Sequence, residues 1–171
     1  EGPAVPPSTT ELVYDIFESL RTLDLTCSVD TVLRLRIPHS VETLLVCFHG
    51  AVQLLRTWDL STLTNLRVLS LANLEKHADL RLPPAATALT LRNVCDKLFD
   101  LYRLDGQTHL RSLEIDQCDD IPRLILPTSL VSLTIADCLR LYELHRFPTL
   151  SGLESFTLRN CPLITELDLP D

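Results

Sequence analysis

Apolar and polar residues along this chain alternate in short blocks that return at a steady spacing. The block is L-x-x-L-x-L, with conservative replacements, and it begins at Leu20, Val41, Leu66, Ala86, Leu110, Leu130 and Leu153. Its inner positions are Leu23/Leu25, Leu44/Val46, Leu69/Leu71, Leu89/Leu91, Leu113/Ile115, Leu133/Ile135 and Phe156/Leu158. Alternation of this length marks a half-buried strand. Seven strands are predicted, at about 22 to 27, 43 to 47, 68 to 72, 88 to 92, 112 to 116, 132 to 136 and 155 to 159. Successive starts lie 21, 25, 20, 24, 20 and 23 residues apart, so short and long units alternate. One strand per unit with a long crossover between strands predicts parallel pairing.

The segments before each start also fall into two kinds. Ahead of Val41, Ala86 and Leu130 stand Leu35/Leu80/Leu124, Ile37/Leu82/Leu126 and Pro38/Pro83/Pro127. An L-x-L-P run suits an extended segment closed by a residue that cannot continue a hydrogen-bond ladder. Ahead of the other units, Tyr14, Leu60, Leu104 and Phe147 lie six residues upstream, and Phe17, Leu63 and Leu150 three upstream. Spacing of three to six predicts a helical or 3₁₀ turn there. Ser8-Thr9-Thr10-Glu11 has capping-box spacing, and Leu12, Val13, Ile16, Phe17 and Leu20 recur nearly as on a helix, so residues 8–19 are expected to form an N-terminal cap. Residues 1–7 are proline-rich and read as a linker, and 20–171 as the repeat array. Leu167, Leu169 and Pro170 fill the columns that precede a further strand, so the array is expected to be truncated at its C-terminal end.

Seven units in register resemble the leucine-rich repeat superfamily from Tyr14 to Pro170. That family continues to Asn or Cys eight residues after each start, a place held here by Cys118, Cys138 and Cys161, but by Ser28, His49, Leu74 and Val94 in the first four units. The run Leu126-Pro127-Thr128-Ser129-Leu130-Val131-Ser132-Leu133-Thr134-Ile135-Ala136-Asp137-Cys138 is most similar to the irregular repeats of plant nucleotide-binding disease-resistance receptors. Its L-P-x-S-L element is also similar to repeats of protist proteins and bacterial effectors. The resemblance implies an α/β solenoid: a leucine-rich repeat horseshoe with one curved parallel sheet of about seven strands, and an outer face of short helices, 3₁₀ turns and extended segments. It also implies an innate-immunity receptor segment that recognises ligands or holds its receptor inactive.

Composition narrows the function. With 171 residues, 38 of them leucine, and 46% hydrophobic content, the chain has the apolar surface to fold rather than stay disordered. A net charge of -8 without a basic run argues against nucleic acid, and no apolar stretch is long enough to insert in a membrane. Cys118, Cys138 and Cys161 follow the repeat instead of clustering at the ends, as does the 20-residue step from Cys27 to Cys47, so they are expected to be buried free thiols in the turns after the strands. With no Asn-x-Ser/Thr sequon, a cytoplasmic location is expected.

No phosphate-cradling loop, zinc-ligand pair or nucleophile elbow occurs. No cofactor, metal or catalytic residue is assigned, and no enzyme is expected. Cys47 and His49 share a strand face but lack the orienting third group of a nucleophilic pair. Glu114, Asp116, Asp119 and Asp120 lack calcium-loop spacing and read as an acidic edge.

Alternation instead sends the residues two, four and six after each start to the concave face. Most are small or hydroxyl-bearing. Asp24, Thr90, Arg92, Glu114, Asp116, Thr134 and Arg159 are the candidate partner-binding residues, with Arg92 and Asp116 in one column of neighbouring strands. The expected function is a non-enzymatic protein-interaction scaffold, the recognition segment of a larger protein with a protein partner. The alternative is a substrate-targeting module of a ubiquitin ligase or secreted microbial effector whose catalytic domain lies elsewhere.

Overall fold

The computed structural model describes residues 10–13, 19–27, 33–49, 57–74, 79–94 and 103–170. These residues carry thirteen strands: β1 (Thr10–Val13), β2 (Thr22–Cys27), β3 (Leu33–Arg36), β4 (Thr43–Phe48), β5 (Thr57–Asp59), β6 (Val68–Ala72), β7 (Asp79–Arg81), β8 (Ala88–Arg92), β9 (Ser112–Asp116), β10 (Arg123–Ile125), β11 (Ser132–Ala136), β12 (Glu143–His145) and β13 (Ser155–Arg159). The seven expected strands form one parallel sheet in the order β13-β11-β9-β8-β6-β4-β2. Register is uniform: Leu44, Leu69, Leu89, Leu113, Leu133 and Phe156 stand side by side, as do Val46, Leu71, Leu91, Ile115, Ile135 and Leu158. The chain is a solenoid of stacked units.

One backbone contact repeats at every step. The carbonyl of the residue after each start accepts two N–H groups of the next unit: Arg21 from Glu42 and Thr43, Glu42 from Arg67 and Val68, Arg67 from Thr87 and Ala88, Thr87 from Arg111 and Ser112, Arg111 from Val131 and Ser132, Val131 from Glu154 and Ser155. The start residues Val41, Leu66, Leu110 and Leu130 are fully buried beneath it. Each such leucine contributes about 1.5 to 3 kcal/mol by leaving water. Since the unfolded chain cannot bury these stripes except against neighbouring units, stacking is the source of stability.

The prolines act as turn openers as well as ladder stops. Pro38, Pro83 and Pro127 are buried, and their carbonyls accept the N–H of Val41, Ala86 and Leu130 at 3.1, 3.4 and 3.4 Å. Two serines of these turns reach back one unit: Ser40 Oγ donates to Leu20 O at 2.8 Å and Ser129 Oγ to Leu110 O at 2.7 Å. The L-P-x-S-L wording thus stitches consecutive units together.

The outer side departs from the expected pattern. Extended segments occur in both kinds of unit and pair parallel across them, as β1 with β3, β5 with β7 and β10 with β12. Arg103 bridges to Ile125, which pairs in turn with His145, so this outer ladder runs through three units. Among the described residues the only helix is a 3₁₀ turn at Phe147–Thr149. Elsewhere the expected helical spacing is taken up by successive turns closed by i to i+3 hydrogen bonds, from Leu63 to Leu60 and Leu66 to Leu63, and from Gln107 to Leu104 and Leu110 to Gln107. The first pair of turns buries Leu60, Leu63 and Leu66 at every third position without a helix, and the second buries Leu104 and Leu110 on either side of the half-buried Gln107. The near-helical reading of the N-terminal cap is likewise corrected at Thr10–Val13, which is a strand paired with Leu33–Arg36. Ladder pairing on one side holds this segment extended, which outweighs a capping preference. Tyr14, Phe17, the linker and most of the cap lie outside the described residues.

Candidate functional site

The strands alternate, so every second side chain turns away from the core onto an open sheet face. The inward set is buried from β4 to β11, whereas β13 shows its Phe156 and Leu158 only partly covered. On the open face lie the columns two, four and six residues after each start. Small residues dominate them: Thr43, Ser70, Ala72, Ala88, Thr90, Ser132, Thr134 and Ala136 are only partly exposed or buried, so backbone and neighbouring side chains leave little relief.

Against that flat background stands one charged cluster. Arg92 at the end of β8 and Asp116 at the end of β9 are register partners. Arg92 Nε donates to Asp116 Oδ2 at 2.9 Å, and its terminal nitrogen reaches Glu114 Oε1 at 3.5 Å. The guanidinium is 55% exposed and the Asp116 side chain only 16%, and Asp116 Oδ1 is buried without a hydrogen-bond partner. Thr90 and Thr134 flank Glu114 on the strands to either side. Five of the seven expected residues therefore form one contiguous patch: Thr90, Arg92, Glu114, Asp116 and Thr134.

The other two lie apart. Asp24 sits on β2, with β4 and β6 between it and β8, which at ~4.8 Å per strand is out of contact range. Arg159 turns past the strand end to Asp137, donating to Oδ2 at 3.0 Å. Asn160 Nδ2 donates to the other Asp137 oxygen at 2.6 Å, and this donor, then the Arg159 hydrogen bond and charge, hold the Asp137 carboxyl below its ordinary pKa.

Asp137 belongs to a rim that the hydropathy pattern does not reveal. The residue seven after a start has positive φ in five units: Asn73, Asn93, Gln117, Asp137 and Asn160. Each closes its strand in the left-handed region, and Asn93 Nδ2 donates to Asn73 Oδ1 at 3.0 Å along the rim. The available signal is compositional, because Asn and Asp tolerate that conformation better than other residues with a Cβ.

Directly beneath the rim, Cys118, Cys138 and Cys161 are buried thiols outside any disulfide, as expected. Cys138 Sγ donates to Ala136 O at 3.2 Å and Cys161 Sγ to Arg159 O at 3.3 Å. Burial pushes the Cys138 thiol up to about 12 and raises Cys161 as well. Leu74 and Val94 fill the same place in earlier units. Cys47 does not belong to this row: it is half-buried, on the open face, beside Thr26 and Ala72. Its spacing from Cys27 fits the repeat length, but it lies six residues after its unit's start rather than eight. The side chain of Cys27 is outside the described residues.

The acidic edge is dispersed. Asp119 accepts the Leu139 N–H at 3.0 Å and Asp120 accepts from Arg140 at 3.2 Å, each on the next unit, while Glu114 and Asp116 face Arg92. Among the described residues no group of three or more His, Cys, Asp or Glu is placed to hold a metal ion, and no helix is long and apolar enough to cross a membrane. Comparison with protein families, with curated proteins and with solved structures finds no match.

Proposed function

We propose that this chain is a non-enzymatic protein-interaction scaffold of leucine-rich repeat type, which receives a protein partner on the open sheet face. The observation that carries this reading is the Arg92–Asp116–Glu114 cluster on an otherwise small-residue surface. The Arg92 and Glu114 side chains are 55% and 41% exposed, and a pair this open contributes only about 0 to 1 kcal/mol to stability, so the fold gains little from that charge. A partner that covers it gains orientation and specificity, because a fully desolvated charge must be matched or it repels. Rigid strands also present the patch without a loop to order on binding.

Membership in an immune-receptor-like protein and a cytoplasmic location are the settings this reading favours. Arg92→Glu and Asp116→Arg are expected to abolish capture of a partner from lysate of the source tissue, with the melting temperature nearly unchanged. Arg103→Glu and Glu143→Arg, on the outer side, should leave capture intact. Equal loss from both faces, or no loss from either, would refute a site on the open sheet face.

A further inference from the structure

One thiol stands apart from the buried row. Cys47 is on β4, its flanking open-face neighbours are Thr26 and Ala72, and neither covers the sulfur with a large side chain. Two polar groups approach it. His49, exposed and just past the end of β4, places Nε2 3.6 Å from Sγ. Asn73, on the adjoining unit, aims Nδ2 at the same sulfur from 3.6 Å.

The Asn73 amide is held in that orientation. Its N–H donates to Arg92 O at 2.9 Å, its φ of 55 fixes the backbone at the strand end, and its Oδ1 already accepts from Asn93. The nitrogen side of the carboxamide is thereby left for Cys47. A ring nitrogen able to take a proton and an N–H donor pointing at sulfur are the two neighbours that let a thiol react as thiolate.

We propose that Cys47 is a reactive thiol, a site of reversible mixed-disulfide formation with small disulfides, in which His49 takes the thiol proton and Asn73 supports the charge on sulfur. In the tautomer that carries its hydrogen on Nδ1, His49 accepts the Cys47 proton at Nε2, and the thiolate attacks one sulfur of the incoming disulfide. A new S–S bond forms as the old one breaks. The departing thiolate recovers the proton from the imidazolium, so Cys47 is oxidised and half of the reagent is reduced to a thiol. The adduct occupies the open face over Thr26 and Ala72. This inference does not depend on the interaction reading, since it concerns the chemistry of one sulfur.

The experiment treats native protein with glutathione disulfide or an aromatic disulfide, then maps adducts on tryptic peptides. Residues 37–56 form a peptide whose only cysteine is Cys47. The adduct is expected there first, with the peptides carrying Cys118, Cys138 and Cys161 unlabelled until denaturant is added. His49→Gln should slow native labelling by ~10-fold or more, against the ~100-fold lower end of what a positioned catalytic base supplies. Asn73→Gly, which keeps the left-handed turn, should slow it severalfold. In denaturant all three proteins should label Cys47 at one rate, which shows that any native difference comes from the folded neighbours. Unchanged native labelling in His49→Gln, or labelling of the buried row as fast as Cys47, would overturn the proposal.

Discussion

A strand that ends in the left-handed region costs an ordinary residue about 1 to 2 kcal/mol, and this chain meets that cost in five units with Asn, Gln or Asp. Asn93, at φ 48, also donates to Asn73, while its backbone N–H bonds Asp116 O at 2.8 Å. Asn93→Ala keeps the backbone bond but carries the strain, so it should lose roughly 1 kcal/mol in urea unfolding. Asn93→Gly removes the strain with the side chain and should stay within a few tenths of a kcal/mol of the parent. If alanine and glycine are equally tolerated, the turn is not what constrains this position. Such residues escape a reading of apolar periodicity because their role is conformational. In the first two units the same place holds Cys27 and Phe48, where the strands run one residue longer, so the column is incomplete in sequence. The Asn73–Cys47 contact is less visible still, because it joins residues 26 apart whose types suggest no pairing.

Strands were predictable because each buried position depends on its own unit and the two beside it, so the same local pattern recurs. All seven fall where the alternation puts them, with one extra residue in β4. The outer segments were less so: Thr57–Asp59 and Glu143–His145 carry no L-x-L-P run and become extended by pairing with β7 and β10, a long-range choice that spacing does not encode. The same dependence on neighbours sets the cost of core substitutions. Leu91 on β8 is fully buried between two strands, whereas Leu158, in the same column on β13, is partly exposed with a strand on one side only. Leu91→Ala should lose about 3 kcal/mol, combining lost burial with a cavity that cannot collapse, and Leu158→Ala about 1 kcal/mol. Equal losses would mean that β13 is covered as well as an interior strand.

At the scale of the whole molecule, the strand–strand contacts among the described residues join neighbouring units, with the outer-side Arg146–Asp105 ion pair at 3.7 Å reaching two units away, so stability spreads mainly through nearest neighbours. The charged patch was legible for the same reason as the strands: alternation places Arg92 and Asp116 in one column, and register brings them to 2.9 Å. What alternation does not contain is how a long side chain bends, which is why Arg159 was grouped with the patch yet bonds Asp137. A linear stack should also open from its weaker end. Among the described residues β13 is the sheet's last strand, with Ser155, Thr157 and Arg159 exposed and Phe156 and Leu158 partly so, whereas at the other end Leu23 of β2 is buried. An edge strand leaves part of its backbone bonded only to water, so its amides exchange through small openings rather than global unfolding. Hydrogen exchange on the native protein should therefore be slowest in β8 and β9, faster in β2 and fastest in β13. Low urea should widen that gradient, since it opens the end units before the middle. Uniform protection from β2 to β13, collapsing together as urea rises, would show that the seven strands unfold as one unit and that nearest-neighbour coupling is stronger than the exposed edge implies.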